Sequence, residues 1–195
     1  MLLMSKNKAH SAAKPALFLD RDGVINKDYG YVHVKENFDF KPGIFNLVST
    51  AHAVGYRCIV VTNQAGIGRG LYSLEQFRTL SNWMCEQFEN KGGIIDAIYF
   101  SPFHPTEGQG KYLLDEDTRK PGTGMFLEAL KDHNIDLTKS IMVGDKMSDM
   151  EASVAANVAY NYLLCSPSEV NASKELDQRV TLAFDLDAIT SQLTR

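Results

Sequence analysis

Several apolar segments of this sequence end in side chains that can take part in chemistry at phosphorus. The run at 16–19 leads into Asp20 and Asp22, and the run at 56–62 ends on Thr62. A later apolar run at 140–144 is followed by Asp145, Lys146 and Asp149. Lys120 comes just before the helical segment that leads into this run. Parallel sheets bind ligands beyond the carboxyl ends of their strands. If these runs are strands of one such sheet, the polar side chains meet at a single edge.

This set of side chains predicts a site for phosphoryl transfer. Clustered carboxylates repel each other in a partly buried site unless a cation lies among them. Mg²⁺ suits such a cluster because it takes one or two carboxylates and leaves room for water and phosphate. Lysine ammonium groups, together with backbone N–H groups near Asp22 and Thr62, suit the phosphate oxygens. Magnesium, lysine and a hydroxyl are the groups that stabilise charge during phosphoryl transfer.

Asp20 is the candidate nucleophile of this chemistry. It closes an apolar strand, and a carboxylate can form an aspartyl-phosphate intermediate that divides one difficult displacement into two easier ones. Asp22 follows two residues later and starts on the same face of the extended chain. It can protonate the leaving oxygen and then activate the water that frees the enzyme.

The elements that must position these residues alternate along the chain. Strands are predicted at 16–19, 56–62, 94–100, 140–144 and 158–163. Helices are predicted from Pro42 to Gly55, after a capping box at 73–76, from a Thr123 cap to about Lys131 and at 148–156, with a short strand and a closing helix within 166–195. Alternation of this kind favours an α/β fold, a Rossmann-like three-layer sandwich with a central parallel sheet.

Each motif also has a reading without catalysis. Asp22-Gly23 alone is a common turn signal. Asp20-x-Asp22 resembles the start of a calcium-binding EF-hand loop, but Val24 stands where that loop needs an oxygen ligand. The glycines of segment 66–70 miss the spacing of a nucleotide-binding loop, so we interpret that segment as a flexible loop. Only the joint appearance of the motifs at successive strand ends favours an enzyme.

Composition limits the other classes of function. The chain of 195 residues has a formal net charge of -4, so no overall positive field favours nucleic acid. Three scattered cysteines (58, 85 and 165) suit a reducing compartment, and no apolar run reaches the length of a membrane span. We expect a flexible lead-in at 1–14 and one domain at 15–195. We also expect a monomeric, cytoplasmic protein that binds neither nucleic acid nor membrane.

The motifs together resemble those of the haloacid dehalogenase-like phosphatases over about residues 16–157. Within that superfamily they are similar to the D-glycero-D-manno-heptose 1,7-bisphosphate 7-phosphatases. The segments that carry the resemblance are DRDGVIN at 20–26, GYVH at 30–33, VVTNQAGIGRG at 60–70, RKP at 119–121 and VGDKMSDM at 143–150.

The resemblance implies a role for each site residue. Asp20 would be the nucleophile and Asp22 the general acid and base, while Thr62 and Lys120 would hold the transferring phosphoryl group. Mg²⁺ would be bound by Asp20, Asp145 and the backbone carbonyl of Asp22, with Asp149 supporting the site. Contacts to the rest of the substrate would come from Asp28, Tyr29, Gly30, Tyr31, Asn63, Gln64, Ala65, Arg119 and Lys146.

The sequence departs from this family in the segment 101–118. Many relatives hold the matching loop with zinc on three cysteines and one histidine, but the corresponding positions here are Ser101, Phe103, Glu116 and Thr118. A structural zinc site needs four ligands, so we predict no structural zinc. We expect local hydrogen bonds and the packing of Phe103, Tyr112, Leu113 and Leu114 to hold this loop. The segments 23–41 and 101–119 are too short for a separate cap domain.

The resemblance implies a Mg²⁺-dependent phosphatase that removes the 7-phosphate of heptose 1,7-bisphosphate in the synthesis of nucleotide-activated heptose for cell-surface polysaccharides. The nearest alternative is a histidinol-phosphate phosphatase, which shares the fold and the motifs. A polynucleotide 3′-phosphatase fits less well, because the acidic chain lacks the basic surface such an enzyme needs. A relative that binds phosphosugars without catalysis is a further alternative, against which the complete set of catalytic side chains argues.

Overall fold

A computed structural model describes residues 12–168 and 176–193 of the chain. Its centre is a six-stranded, wholly parallel sheet in the order β3-β2-β1-β4-β5-β6. The strands are β1 (Ala16–Leu19), β2 (Arg57–Asn63), β3 (Ala97–Ser101), β4 (Ile141–Gly144), β5 (Tyr160–Leu164) and β6 (Val180–Ala183). The helices are α1 (Ile44–Ala53), α2 (Ala65–Gly68), α3 (Leu74–Glu89), α4 (Gly124–Asp132), α5 (Met147–Ala155) and α6 (Leu186–Leu193). The predicted α/β sandwich is therefore confirmed.

The sheet is covered on both faces, which is why its central strand is apolar throughout. Leu17 and Leu19 of β1 point into a cluster built with α1, α3 and α6. Ala16 and Phe18 point to the opposite face, into a cluster built with α4 and α5. All four residues of β1 are fully buried, as expected for a parallel strand with helices on each side. This burial fixes the position of the residue that follows β1.

The predicted elements exist, and their ends differ by a few residues. The predicted third strand begins at 94, whereas β3 begins at Ala97. The Asp96 carboxylate accepts a 2.8 Å hydrogen bond from the Cys58 backbone N–H, so Asp96 ties the start of β3 to β2 as a loop residue. The capping box is present, with Ser73 and Gln76 bonded to each other's backbone. Thr123 precedes α4 as expected, but its side chain makes no capping hydrogen bond.

The long connections after β1 and β3 form no separate folded module among the described residues. Each contains one short 3-10 turn, at Lys35–Asn37 and at Gly110–Tyr112. Of the predicted flexible lead-in at 1–14, residues 1–11 lie outside the described residues. Lys14 forms a parallel β-bridge with Ile135. None of the described helices has the length and apolarity needed to cross a membrane.

Candidate active site

A buried lysine joins two carboxylates at the carboxyl edge of the sheet. Lys120 Nζ lies 2.9 Å from Asp20 Oδ1 and 2.6 Å from Asp149 Oδ1, and it donates a 2.8 Å hydrogen bond to the Val61 carbonyl. All three side chains of this group are nearly inaccessible to solvent. The three donors of the ammonium group thus have partners, and the lysine is fixed in place.

The strands and one asparagine bring this group together. Asp20 follows β1, and its backbone N–H donates to Val143 of the neighbouring β4 at 3.0 Å. Asn63 at the end of β2 binds both backbone groups of Lys120, each at 3.0 Å. The sequence predicted that Asn63 contacts the sugar. In this structure its amide positions the lysine.

Three carboxylates lie close enough to share a metal ion. One oxygen of each of Asp20, Asp145 and Asp149 lies within 4.8 Å of the others. Asp145 Oδ1 is buried without a hydrogen-bond partner, and such a group normally has one. Asp149 has both oxygens engaged, by Lys120 and by the Lys146 backbone N–H at 3.0 Å. The donor set therefore fits Mg²⁺, with Asp20 and Asp145 as candidate ligands and Asp149 as their support.

The electrostatics of the cluster point the same way. Burial, and then the negative charge of Asp20, raise the pKa of Asp145 to about 7. Burial also raises the pKa of Asp20, and the positive charge of Lys120 offsets this only in part. Burial alone lowers the pKa of Lys120, but the charges of Asp20 and Asp149 outweigh it, so that this pKa is raised. The group holds more negative than positive charge, and a cation would remove this excess.

The backbone at position 23 passes so close to Asp145 that only glycine fits there. Its φ is +93°, which L side chains rarely adopt, and a Cβ there would lie 2.0 Å from Asp145 Oδ2. The turn after Asp22 can therefore pass against Asp145 only with glycine at this position.

Asp22 is held by a network of donors that the sequence did not reveal. The Arg21 guanidinium binds it through Nε at 3.1 Å and Nη2 at 2.8 Å, and Asn26 donates to Oδ1 at 3.0 Å. Gln64 Nε2 donates both to Asp22 Oδ2 at 3.1 Å and to Thr62 Oγ1 at 2.8 Å. The carboxylate predicted to act as acid and base is thus firmly oriented.

Three residues of this network, Arg21, Asn26 and Tyr72, have no role in the sequence prediction. Arg21 is 2% exposed, and its guanidinium packs over the Phe77 ring. Its Nη2 donates a 2.6 Å hydrogen bond to the Val32 carbonyl. Tyr72 donates its hydroxyl hydrogen to Gln64 Oε1 at 2.5 Å. The sequence does hint at a role for Arg21, because this residue stands between two aspartates directly after an apolar strand. Tyr72 has no such signal, because only the fold brings it near Gln64.

Most of the predicted sugar-contacting residues lie on loops around this centre, while Asn63 ends β2 and Ala65 begins α2. Asp28 forms a 3.0 Å ion pair with Lys146, and hydrogen bonds from Gly30 N–H and Lys146 outweigh burial and lower its pKa. Tyr29 and Tyr31 are exposed. The segment 66–70 was interpreted as a flexible loop, but its residues 66–68 belong to α2, so that interpretation is wrong.

The segment 101–118 is held mainly by polar and backbone contacts. His104 N–H donates to the Tyr112 carbonyl at 3.0 Å, and Gln109 N–H donates to the Gly68 carbonyl at 2.8 Å. Tyr112 packs beside Ile67, Tyr72 and Phe77, and its ring meets Phe103 edge-on. The predicted packing of Leu113 and Leu114 is wrong: they are 52% and 49% exposed. The backbone contacts suffice to fix this edge, so both leucines can face solvent.

Comparisons with known proteins agree with this geometry. A family model for haloacid dehalogenase-like hydrolases matches residues 112–162. The D-glycero-alpha-D-manno-heptose-1,7-bisphosphate 7-phosphatase of Burkholderia mallei (strain ATCC 23344) is 53% identical over 150 residues, covering 77% of this chain and 79% of that protein. The D-glycero-beta-D-manno-heptose-1,7-bisphosphate 7-phosphatase of Vibrio cholerae serotype O1 is 45% identical over 170 residues, covering 87% and 91%.

This chain belongs to the heptose-bisphosphate phosphatase family of haloacid dehalogenase-like hydrolases. It is thus a phosphoric monoester hydrolase, as the resemblance implied. A crystal structure of a member of this family, the D,D-heptose 1,7-bisphosphate phosphatase from B. bronchiseptica complexed with magnesium and phosphate, matches with a TM-score of 0.80 and 26% identity, covering 92% of this chain and 98% of that one.

Two of the positions that hold zinc ligands in many members of the heptose-bisphosphate phosphatase family face each other here. The Thr118 hydroxyl donates to the Ser101 hydroxyl at 3.3 Å. At a third position, the Phe103 carbonyl accepts a 3.2 Å hydrogen bond from Arg119. These contacts join the two ends of the loop without a metal, and the expected lack of zinc stays a prediction.

Proposed function

We propose that this enzyme removes the 7-phosphate of D-glycero-D-manno-heptose 1,7-bisphosphate. One observation carries the proposal: the buried Asp20-Lys120-Asp149 group lies in a chain 53% identical to a phosphatase named for this reaction. One relative is named for the α anomer and another for the β anomer, so both are candidate substrates. The reaction would take place in the cytoplasm, in a monomeric enzyme, and would supply the synthesis of nucleotide-activated heptose for lipopolysaccharide.

The first half of the reaction transfers the phosphoryl group to Asp20. Lys120 Nζ fixes Asp20 Oδ1, so the other carboxylate oxygen is the candidate for attack on phosphorus. As the new bond forms, the bond from phosphorus to the sugar oxygen breaks, and protonated Asp22 gives its proton to that oxygen. The donors on Arg21, Asn26 and Gln64 keep the Asp22 carboxyl oriented for this transfer.

The second half releases phosphate. Asp22, now a carboxylate, takes a proton from water, and the resulting hydroxide attacks phosphorus while the bond to Asp20 breaks. The Thr62 hydroxyl would hold a phosphoryl oxygen in both halves, and Lys120 would do so by giving up one of its three present partners. Both side chains are buried, Thr62 near the end of β2 and Lys120 in the loop before α4, so their positions are largely fixed before the reaction begins.

Asp20, Asp145 and the Asp22 carbonyl would hold Mg²⁺, with Asp149 as support. When bound, Mg²⁺ stabilises negative charge on the phosphoryl oxygens and orients the reacting group. The unpartnered Asp145 Oδ1 and the excess of carboxylates support this assignment.

Removal of divalent metal ions is expected to stop turnover. EDTA treatment should abolish phosphate release, and added Mg²⁺ should restore it, because the carboxylate cluster then regains its cation. Elemental analysis of the purified protein should find no stoichiometric zinc. One zinc per chain would contradict our interpretation of segment 101–118.

A comparison of two substrates tests the proposed function directly. Phosphate release from heptose 1,7-bisphosphate, as separate α and β anomers, and from histidinol phosphate should be measured side by side. We expect the higher kcat/KM for the heptose substrate, because the GYVH stretch at 30–33 and the GIGRG segment at 66–70 resemble those of the heptose enzymes. A preference for histidinol phosphate would overturn the proposal.

A further inference from the structure

Arg69, a cation beside Tyr31 of the predicted substrate-contacting stretch 28–31, is already paired with a carboxylate of segment 101–118. Arg69 follows α2, and its Nη1 lies 2.8 Å from Glu107 Oε2. The same guanidinium lies over the Tyr31 ring, 5.1 Å from its centre, and donates to the Tyr31 hydroxyl. Three chain segments that are distant in sequence thus meet at Arg69.

Tyr31 connects this meeting point with the predicted substrate contacts. Tyr31 lies three residues after Asp28, which pairs with Lys146 next to the carboxylate cluster. Glu107 also acts on Arg119, the residue before the catalytic lysine. Burial lowers the pKa of Arg119, and the negative charges of Asp115 and Glu107 are among those that oppose this effect. Glu107 therefore lies in the field of two guanidinium groups.

The Arg69–Glu107 pair is open to water. The two side chains are 31% and 49% exposed, and exposed pairs of this kind contribute little to stability. Arginine can bind phosphate through two parallel, charge-assisted hydrogen bonds, whereas the Glu107 carboxylate approaches Arg69 at Nη1. A second phosphate on the substrate can therefore displace Glu107 at small cost.

We infer that Glu107 is a specificity-determining residue, an internal anion that competes with the second phosphate of the substrate for Arg69. This inference rests on the proposed function, since it requires a substrate with two phosphates. The role requires no change in the fold of the loop. Gln109 binds the Gly68 carbonyl through its backbone and the Arg69 carbonyl at 3.0 Å through its side chain, independently of Glu107.

The test is Glu107→Gln, assayed on heptose 1,7-bisphosphate and on heptose 7-phosphate, which lacks the second phosphate. Removing one exposed competing charge should lower KM for the bisphosphate about two- to fivefold. The kcat and the KM for the monophosphate should stay unchanged. Glu107→Asp keeps the charge and should behave like the wild type. Glu128→Gln makes the same charge change on the exposed face of α4 and should have no effect.

Each other result has a distinct meaning. If KM for the bisphosphate stays equal or rises in Glu107→Gln, Glu107 does not compete with substrate, and the inference is wrong. An equal fall in KM for both substrates would also overturn it, because the effect would then not depend on the second phosphate. If the wild type does not hydrolyse the bisphosphate at all, the proposed function fails and this inference falls with it.

Discussion

Asp20→Asn is expected to reduce turnover of heptose 1,7-bisphosphate by roughly four orders of magnitude or more while leaving the fold intact. The amide cannot form the phosphoryl intermediate, yet its oxygen can still accept a hydrogen bond from Lys120. The substitution also removes one negative charge from a cluster that holds an excess of them. Stability should therefore fall little. Phosphate release and the midpoint of urea unfolding should be measured on the same preparation.

Asp132→Asn is the matched control for Asp20→Asn. Asp132 ends α4 and accepts a hydrogen bond from Tyr99 at 2.9 Å, away from the carboxylate cluster. It should retain wild-type activity. Turnover by Asp20→Asn above about 1% of the wild-type value would exclude Asp20 as an obligatory nucleophile.

Lys120→Met is expected to lose both activity and stability. Lys120 is 1% exposed on its side chain and joins Asp20 to Asp149. Removing one partner of a buried ion pair leaves charge uncompensated and costs about 3–5 kcal/mol. Activity should fall to background because the phosphoryl oxygens also lose their ammonium partner. Urea unfolding monitored by circular dichroism gives the free energy of unfolding, and phosphate release gives the activity.

A second substitution separates the charge effect from a packing defect. Lys120→Met with Asp149→Asn removes one of the unpaired carboxylates and should recover part of the lost free energy of unfolding. Lys91→Met, an exposed lysine after α3, should change it by less than about 0.5 kcal/mol. If Lys120→Met unfolds at the wild-type urea concentration, the buried group does not stabilise the fold.

Many of the strands and helices of this protein can be predicted from short sequence patterns. The apolar run before Asp20, the β-branched run before Thr62 and the capping box at Ser73 each identify an element from a few neighbouring residues. Strand alternation then implies a parallel sheet, and a parallel sheet brings its carboxyl ends together. For that reason the sequence predicts a shared edge with Asp20, Lys120, Asp145 and Asp149, and the structure places them there.

The failures arise where the outcome depends on contacts between distant segments. Leu113 and Leu114 are apolar and were expected to pack, but the backbone bonds of their loop leave them in solvent. The segment with three closely spaced glycines predicts flexibility. Its residues 66–68 instead belong to α2, and Pro102 packs so closely there that a Cβ on Gly68 would lie 2.3 Å from the Pro102 carbonyl oxygen.

The sequence by itself determined the elements, their parallel arrangement and the chemical nature of the site, because these depend on periodicity, residue type and strand order. Only the tertiary structure decided how the side chains are held. In the folded protein, Asn63 hydrogen-bonds to the Lys120 backbone, and Arg21 and Gln64 donate to Asp22. Glu107 forms an ion pair with Arg69. These contacts join residues that no local pattern relates, since their distances depend on how strands, helices and loops pack together.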